Sequence, residues 1–461
     1  MSNAVGTGPR RGPVGDLGAR AGWAEVDITP PLGLPMGGRG PRFAPATSVL
    51  DPLMAQALLL EDAQGNRQLW VSLDLIGLDH GRSAALRQDL SALTGAPYEA
   101  VVLNFAHIHS GPMTNFRKYP EIIPEPPALC DYQRALSQAV HSAVEMALNR
   151  MQPVAVVRHL GTSDIGINRR RRNAAGETVL APNPGGAYNR DLWVLDLRPR
   201  NRDAAQDRAL VFSYGCHPVI VYGYSWDGIS AGYPGATRRV LRSHLDDAVH
   251  CQFLQGLAGN VRPRILADLE RGQFRKSTPD DVDAVAVELA GDVLDALGHP
   301  GDRVDLALQA AAGWVHPRRA ADQVPQLAHW QEMAARDDEL SRNVGSYWAA
   351  RIGSGSALAR VVPLQIGLLE IAPGQRIAWF NTEAVAEWLP ALRTWLEDPS
   401  LTVWGYCQDV GTYLPTDALL PEGGYEVVDA PRSDPYGPMP LANGIDVTVR
   451  SGFERLTRLM G

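Results

Sequence analysis

The chain has 461 residues, 45% of them hydrophobic and 20% charged, ordinary values that exclude a disordered or fibrous protein. A formal net charge of -8 excludes a broad nucleic-acid surface, which needs clustered Lys and Arg. No apolar run approaches the roughly 20 residues that cross a bilayer, so no membrane span is expected.

Residues 1–20 are rich in Gly, Arg and Pro and read as a flexible tail with no apolar leader segment, and 21–461 as one domain. The segment WAEVDITPPLGLPMGG predicts a short strand ended by a double proline and a glycine-rich turn. Strand-like runs follow at 57–61 and 69–76, a helical pattern at 82–93, a strand at 101–105 and a helix at 131–151. A strand at 210–216 and helices at 234–245 and 280–297 come next. Residues 322–353 are polar and helix-prone, which fits either an inserted lid or a helix packed outside a sheet. Strands resume at 361–371 and 376–381, and a helix over 382–396 follows, with Thr382 as its N-cap. Strands interleaved with helices predict an α+β fold, a layered mixed β-sheet with flanking helices. Cys130, Cys216, Cys251 and Cys407 are widely spaced without a CxxC pair, which fits reduced thiols and a cytoplasmic location.

The sharpest local feature is Asn104-Phe105-Ala106-His107-Ile108-His109-Ser110-Gly111-Pro112, an apolar strand delivering two histidines to a Gly-Pro turn. Side chains i and i+2 of a strand share a face, so His107 and His109 can share a pocket, as metal ligands or as ligand plus acid/base. Histidines satisfied by backbone groups at a strand end explain the pattern as well. A second apolar strand ends in His217-Pro218, and zinc sites draw their ligands from separate elements. Glu383 follows the apolar pair Trp379-Phe380, where an acid in the first turn of a helix is the plain reading. In the loop GLAGNVRP, residues 256–263, glycines permit close backbone approach, so N–H groups around Gly259 could face a substrate oxygen; a tight turn explains it equally. No serine sits at its centre, so it is not a GxSxG elbow. The basic run Arg169-Arg170-Arg171-Arg172 reads as a solvated loop or as part of a site for an anion or carbonyl.

In this order the features resemble the neutral/alkaline ceramidase family. The resemblance rests on AEVDITPP (24–31), AHIHSGP (106–112), the strand ending in His217-Pro218, ISAGYPG (229–235) and the loop 256–263, and spans Gly22 to about Val428. It implies a ceramidase-like catalytic domain and zinc-dependent hydrolysis of an amide bond. It puts zinc ligands at His107, His217, Glu383 and Tyr413, a substrate-contacting histidine at His109, and stabilisers of the carbonyl oxygen at Arg169 and Tyr425. Where the family carries a serine in a GDVSPN-like loop this chain has Arg262, with Asn260 for the aspartate, and the aspartate of ISADYPG is Gly232 here. Those positions face or support the substrate, so Gly259, Asn260 and Arg262 are assigned to substrate binding, and a small or polar N-acyl compound is expected in place of ceramide. The chain ends soon after the catalytic region, so no immunoglobulin-like C-terminal domain is expected. The same residues would serve an amide-forming or cyclising enzyme, and a binding module without turnover is the non-enzymatic alternative. The expected partner is a small-molecule substrate, with homo-oligomerisation left open.

Overall fold

The structure, a computed structural model, describes residues 18–38, 42–115, 125–200, 207–434 and 437–461; the tail expected over 1–20 lies outside them up to residue 17. The larger sheet is built from Arg20–Asp27 (β1), Met54–Glu61 (β2), Arg67–Leu73 (β3), Val101–Phe105 (β4), Gln152–Thr162 (β5), Asp191–Pro199 (β6), Ala209–Tyr214 (β7) and His250–Gln255 (β8). In space they run β8-β7-β6-β5-β1-β2-β3-β4, with the two-residue strand Asp302–Arg303 paired on β5 off this path. The β7–β8 and β3–β4 pairs are parallel and the others antiparallel. Both faces of β2 (MAQALLLE) and β3 (RQLWVSL) are covered, which is why they are near-continuous apolar runs instead of alternating ones.

Helices His80–Thr94 (α1), Pro127–Asn149 (α2), Gly232–Leu245 (α3) and Pro279–Gly298 (α4) cover one face, where Leu90, Val140, Leu241 and Leu289 pack with Leu59 and Val71. The other face meets a smaller sheet of Gln309–Val315 (β9), Leu364–Ala372 (β10), Gln375–Phe380 (β11) and Thr402–Trp404 (β12). Four tryptophans, Trp70, Trp193, Trp379 and Trp404, lie between the two sheets, with Trp70 and Trp404 centroids 5.2 Å apart. The far side of the smaller sheet is closed by Trp388 and Phe453 of two C-terminal helices, Trp388–Trp395 and Ile445–Met460. The result is the expected layered α+β arrangement with a mixed sheet.

A polar seam decides where the site forms. β8 ends the larger sheet, and polar side chains from the opposite end take up its backbone: Gln56 Nε2 donates to Cys251 O (3.1 Å), Ser72 Oγ to Phe253 O (2.5 Å) and Asn104 Nδ2 to Gln255 O (3.2 Å). Gln252 Nε2 returns a bond to Trp70 O (3.1 Å). Gln56, Ser72, Asn104 and Gln252 have no solvent exposure, so an unmatched amide here would carry the full cost of burial, of order 2 kcal/mol or more. The matched set therefore curls the sheet until its ends meet. It also gathers the turns that follow β4, β7 and β8 at one corner.

One segment stands outside these layers. β9 and β10 are antiparallel with Val315 opposite Leu364, a geometry that a short turn can close. Residues 316–363 are inserted there instead and carry Leu327–Ala334 (α5) and Glu339–Gly353 (α6). The polar stretch 322–353 is thus two helices, packed on each other around Trp330, Met333, Val344 and Trp348. Among the described residues no helix is long and apolar enough to cross a membrane.

Candidate metal centre

The chain leaves β4 at Phe105 and turns sharply, with His107 in the left-handed region (φ 59°). A histidine tolerates that region only where its surroundings over-determine it. Here its N–H donates to Leu75 O (3.0 Å), its Nδ1 bonds Ile76 O (2.8 Å), and the Tyr406 ring packs 4.4 Å away. His107 and His109 do share a pocket, with centroids 5.0 Å apart, but through this turn and not through the pleat of a strand. His217 lies beyond the end of β7, its N–H on Val261 O (3.1 Å) and its Nδ1 on Ala258 O (2.8 Å). His107, His109 and His217 each bring a ring nitrogen within 4.8 Å of the others.

Glu383 does not open a helix. Glu383–Ala384 pairs in parallel with Tyr413–Leu414, and the helix begins only at Trp388. The reason is tertiary: Glu383 N donates to Thr412 O (2.9 Å), and Thr382 O accepts from Tyr406 N (3.0 Å), so the backbone that a cap would have used is already paired. This places Glu383 Oε2 3.2 Å from His107 Nε2 and 3.4 Å from His217 Nε2.

That geometry tests the fit of a metal. A carbonyl oxygen only accepts, so the Nδ1 atoms of His107 and His217 carry the hydrogens and the Nε2 lone pairs face the carboxylate. Acceptors facing acceptors in a buried site call for a cation between them. Burial pushes the His217 imidazole down to about 4. Neutral imidazoles and an ionised carboxylate are a donor set that suits zinc.

Arg169 lies in the strand Gly166–Arg172, so the basic run is not a loop; Arg169 and Arg170 are buried and Arg171 and Arg172 exposed. Glu426 holds both guanidinium groups, through Arg169 Nε (2.8 Å) and Arg170 Nη1 (2.7 Å). Arg169 Nη2 then donates to Tyr413 Oη (3.1 Å), and its guanidinium carbon sits 5.4 Å from the Tyr425 ring centroid. Burial and the nearby Glu383 carboxylate push the Tyr413 phenol well above its ordinary value, although Arg169 opposes them.

A cavity of about 310 Å³ is lined by His107, His109, Glu383, Tyr413 and Tyr425 together with Met333, Leu340 and Val344 of α5 and α6. The residues assigned to substrate binding do not line it. Gly259 N donates to Ala384 O (3.0 Å), which occupies the N–H expected to face a substrate. Asn260 is fully buried, accepting from Ala386 N (2.9 Å) and donating to Glu387. Arg262 lies 4.6 Å over the Phe274 ring and reaches Tyr222 Oη (3.4 Å). Sequence reasoning missed Glu426 and Tyr406. Glu426 had a signal, since a buried Arg169 needs an acid and Glu426 is the neighbour of Tyr425.

No protein-family model matches the sequence, and no curated protein matches it. Solved structures do. Neutral ceramidase from Pseudomonas aeruginosa superposes with a TM-score of 0.68 at 18% identity, covering 95% of this chain and 73% of its own. A ceramidase complexed with C2 gives 0.68 at 16% identity, covering 95% and 74%. The chain has the neutral ceramidase fold.

Proposed function

We propose that this protein hydrolyses an amide bond in a small or polar N-acyl compound, with zinc held by His107, His217, Glu383 and Tyr413. The observation that carries the reading is the Glu383 carboxylate facing two Nε2 lone pairs at 3.2 and 3.4 Å. Zinc bound there would polarise a substrate carbonyl and make water nucleophilic near neutral pH. His109 faces the same space and accepts the proton of the attacking water, then returns it to the leaving amine. The Tyr425 hydroxyl, which lines the cavity, stabilises the charge developing on the carbonyl oxygen, a contribution worth about 100-fold or more per donor, and Arg169 supports it from behind through its bond to Tyr413 Oη (3.1 Å). Glu426 keeps Arg169 from drifting, because its two oxygens tie Arg169 Nε and Arg170 Nη1 to one carboxylate by charge-assisted hydrogen bonds. None of these groups serves as a nucleophile, so no acyl-enzyme forms.

A cavity of about 310 Å³ is at the small end of the roughly 300–1,000 Å³ typical of ligand sites, which supports a substrate smaller than ceramide. The test is release of amine from a panel of N-acyl compounds by the zinc-loaded protein. Release that vanishes in Tyr425→Phe and Arg169→Lys supports the reading. A zinc-replete protein that releases no amine from any of them, and instead joins acyl and amine components, replaces it with a condensing enzyme.

A further inference from the structure

We propose that the α5–α6 hairpin measures the apolar chain of the substrate, so that the amide cleaved carries a short acyl group; the inference rests on the amide-hydrolase reading above. Met333 of α5 and Leu340 and Val344 of α6 line the same cavity as His107, His109 and Glu383, interspersed with Arg336 and Ser341 of the same hairpin. The hairpin side chains come from an insertion between paired strands, with a core of its own around Trp330 and Trp348. This part of the cavity lining is therefore set independently of the layers that build the centre itself. The hairpin is also pinned to the cavity wall: Trp348 Nε1 donates to Arg432 O (2.7 Å), and Arg432 lines the cavity.

Volume gives the class of ligand. A volume of about 310 Å³ lies at the small end of the roughly 300–1,000 Å³ typical of ligand sites and suits an amide with one acyl chain of modest length. Each methylene buried against Met333, Leu340 and Val344 raises affinity about fourfold, until the chain fills the cavity and the gain reverses.

The experiment uses the zinc-loaded full chain and n-alkyl hydroxamates of about two to about sixteen carbons, with affinity read by calorimetry, beside kcat/KM on N-acyl amides of the same lengths. Both profiles are expected to climb about fourfold per carbon to an optimum within the series, then fall at least about tenfold for the longest chains. Leu340 is the position to vary, because it is only partly buried and packs at the edge of the hairpin core. Leu340→Ala moves the optimum to longer chains and Leu340→Trp to shorter ones, in binding and in turnover alike. An optimum that stays put in both variants, or a flat profile across the series, overturns the proposal. Hydroxamate binding that shifts with Leu340 while no amide is cleaved supports the hairpin's role and sinks the hydrolase reading instead.

Discussion

Glu383 and Tyr413 lie directly opposite each other in a parallel strand pair. Opposed residues of such a pair present their side chains to the same face, so a carboxylate and a phenol enter one cavity from neighbouring backbones. The position of Glu383 is set from behind as well: a Cβ on Gly259 would come 2.6 Å from Glu383 O and 2.8 Å from Ala384 O.

Gly259→Ala should therefore displace the strand that carries Glu383. We expect a loss of about 1–3 kcal/mol in stability from the overpacking, and zinc affinity lower by about tenfold or more, as for other disturbances of groups that orient a ligand. Chelator competition against wild type measures the second. Unchanged zinc affinity would show that Glu383 is placed by its pairing with Tyr413 alone.

Metal content separates the three histidines. His107→Ala and His217→Ala should weaken zinc binding by more than about 100-fold, since even outer partners of ligands are worth about 10- to 100-fold. His109→Ala should keep close to a full equivalent of zinc while turnover falls about 100-fold or more, the size of a lost acid/base group. Elemental analysis of each variant, purified without chelator, gives the answer. An empty His109→Ala protein would make His109 a ligand and the set three histidines.

Glu426 offers a test of the buried charge network. With Arg169 almost wholly buried, Glu426→Gln leaves its guanidinium short of a countercharge, while Arg170 keeps Glu422 at 3.2 Å. Breaking such a pair from one side costs about 3–5 kcal/mol, read as a drop in the urea midpoint. Turnover should fall in parallel, because Arg169 loses the charge-assisted bond that keeps it from drifting.

How much of this was legible in the sequence depends on which interactions set each element. The helices His80–Thr94 and Gly232–Leu245 lie within a few residues of the periods that predict them, because their signal is local. The strand Gly166–Arg172 is different. GINRRRR looks solvated, and what makes it a strand is pairing with Thr178–Asn183 and Val261–Pro263, together with an acid more than two hundred residues away, Glu426. Glu383 shows the reverse error. Thr382-Glu383 has the local chemistry of a helix start, and the pairing with residues 412–414 overrides it. The histidines were legible as site residues because polar rings at the ends of apolar strands need a reason to be there. Their shared pocket depends on the left-handed turn at His107, which no sequence period announces.

Acid sensitivity provides the last test, through a histidine far from the cavity in role. His250 opens β8, is buried, and is pushed down to about 4 by burial, against the pull of Glu25. In the unfolded chain an imidazole titrates near about 6.5, so between these values the unfolded state binds the extra proton. Stability is full above about 6.5 and is lost as pH falls toward about 4, by on the order of 3 kcal/mol from this group. Urea midpoints of wild type and His250→Gln, compared at a series of pH values, isolate the term, since His217 and the carboxylates are common to both. The gap between the two proteins should narrow or reverse toward low pH by about that amount. A gap constant from about 7 to about 4 would mean that His250 titrates normally in the fold, with water or a carboxylate reaching the ring.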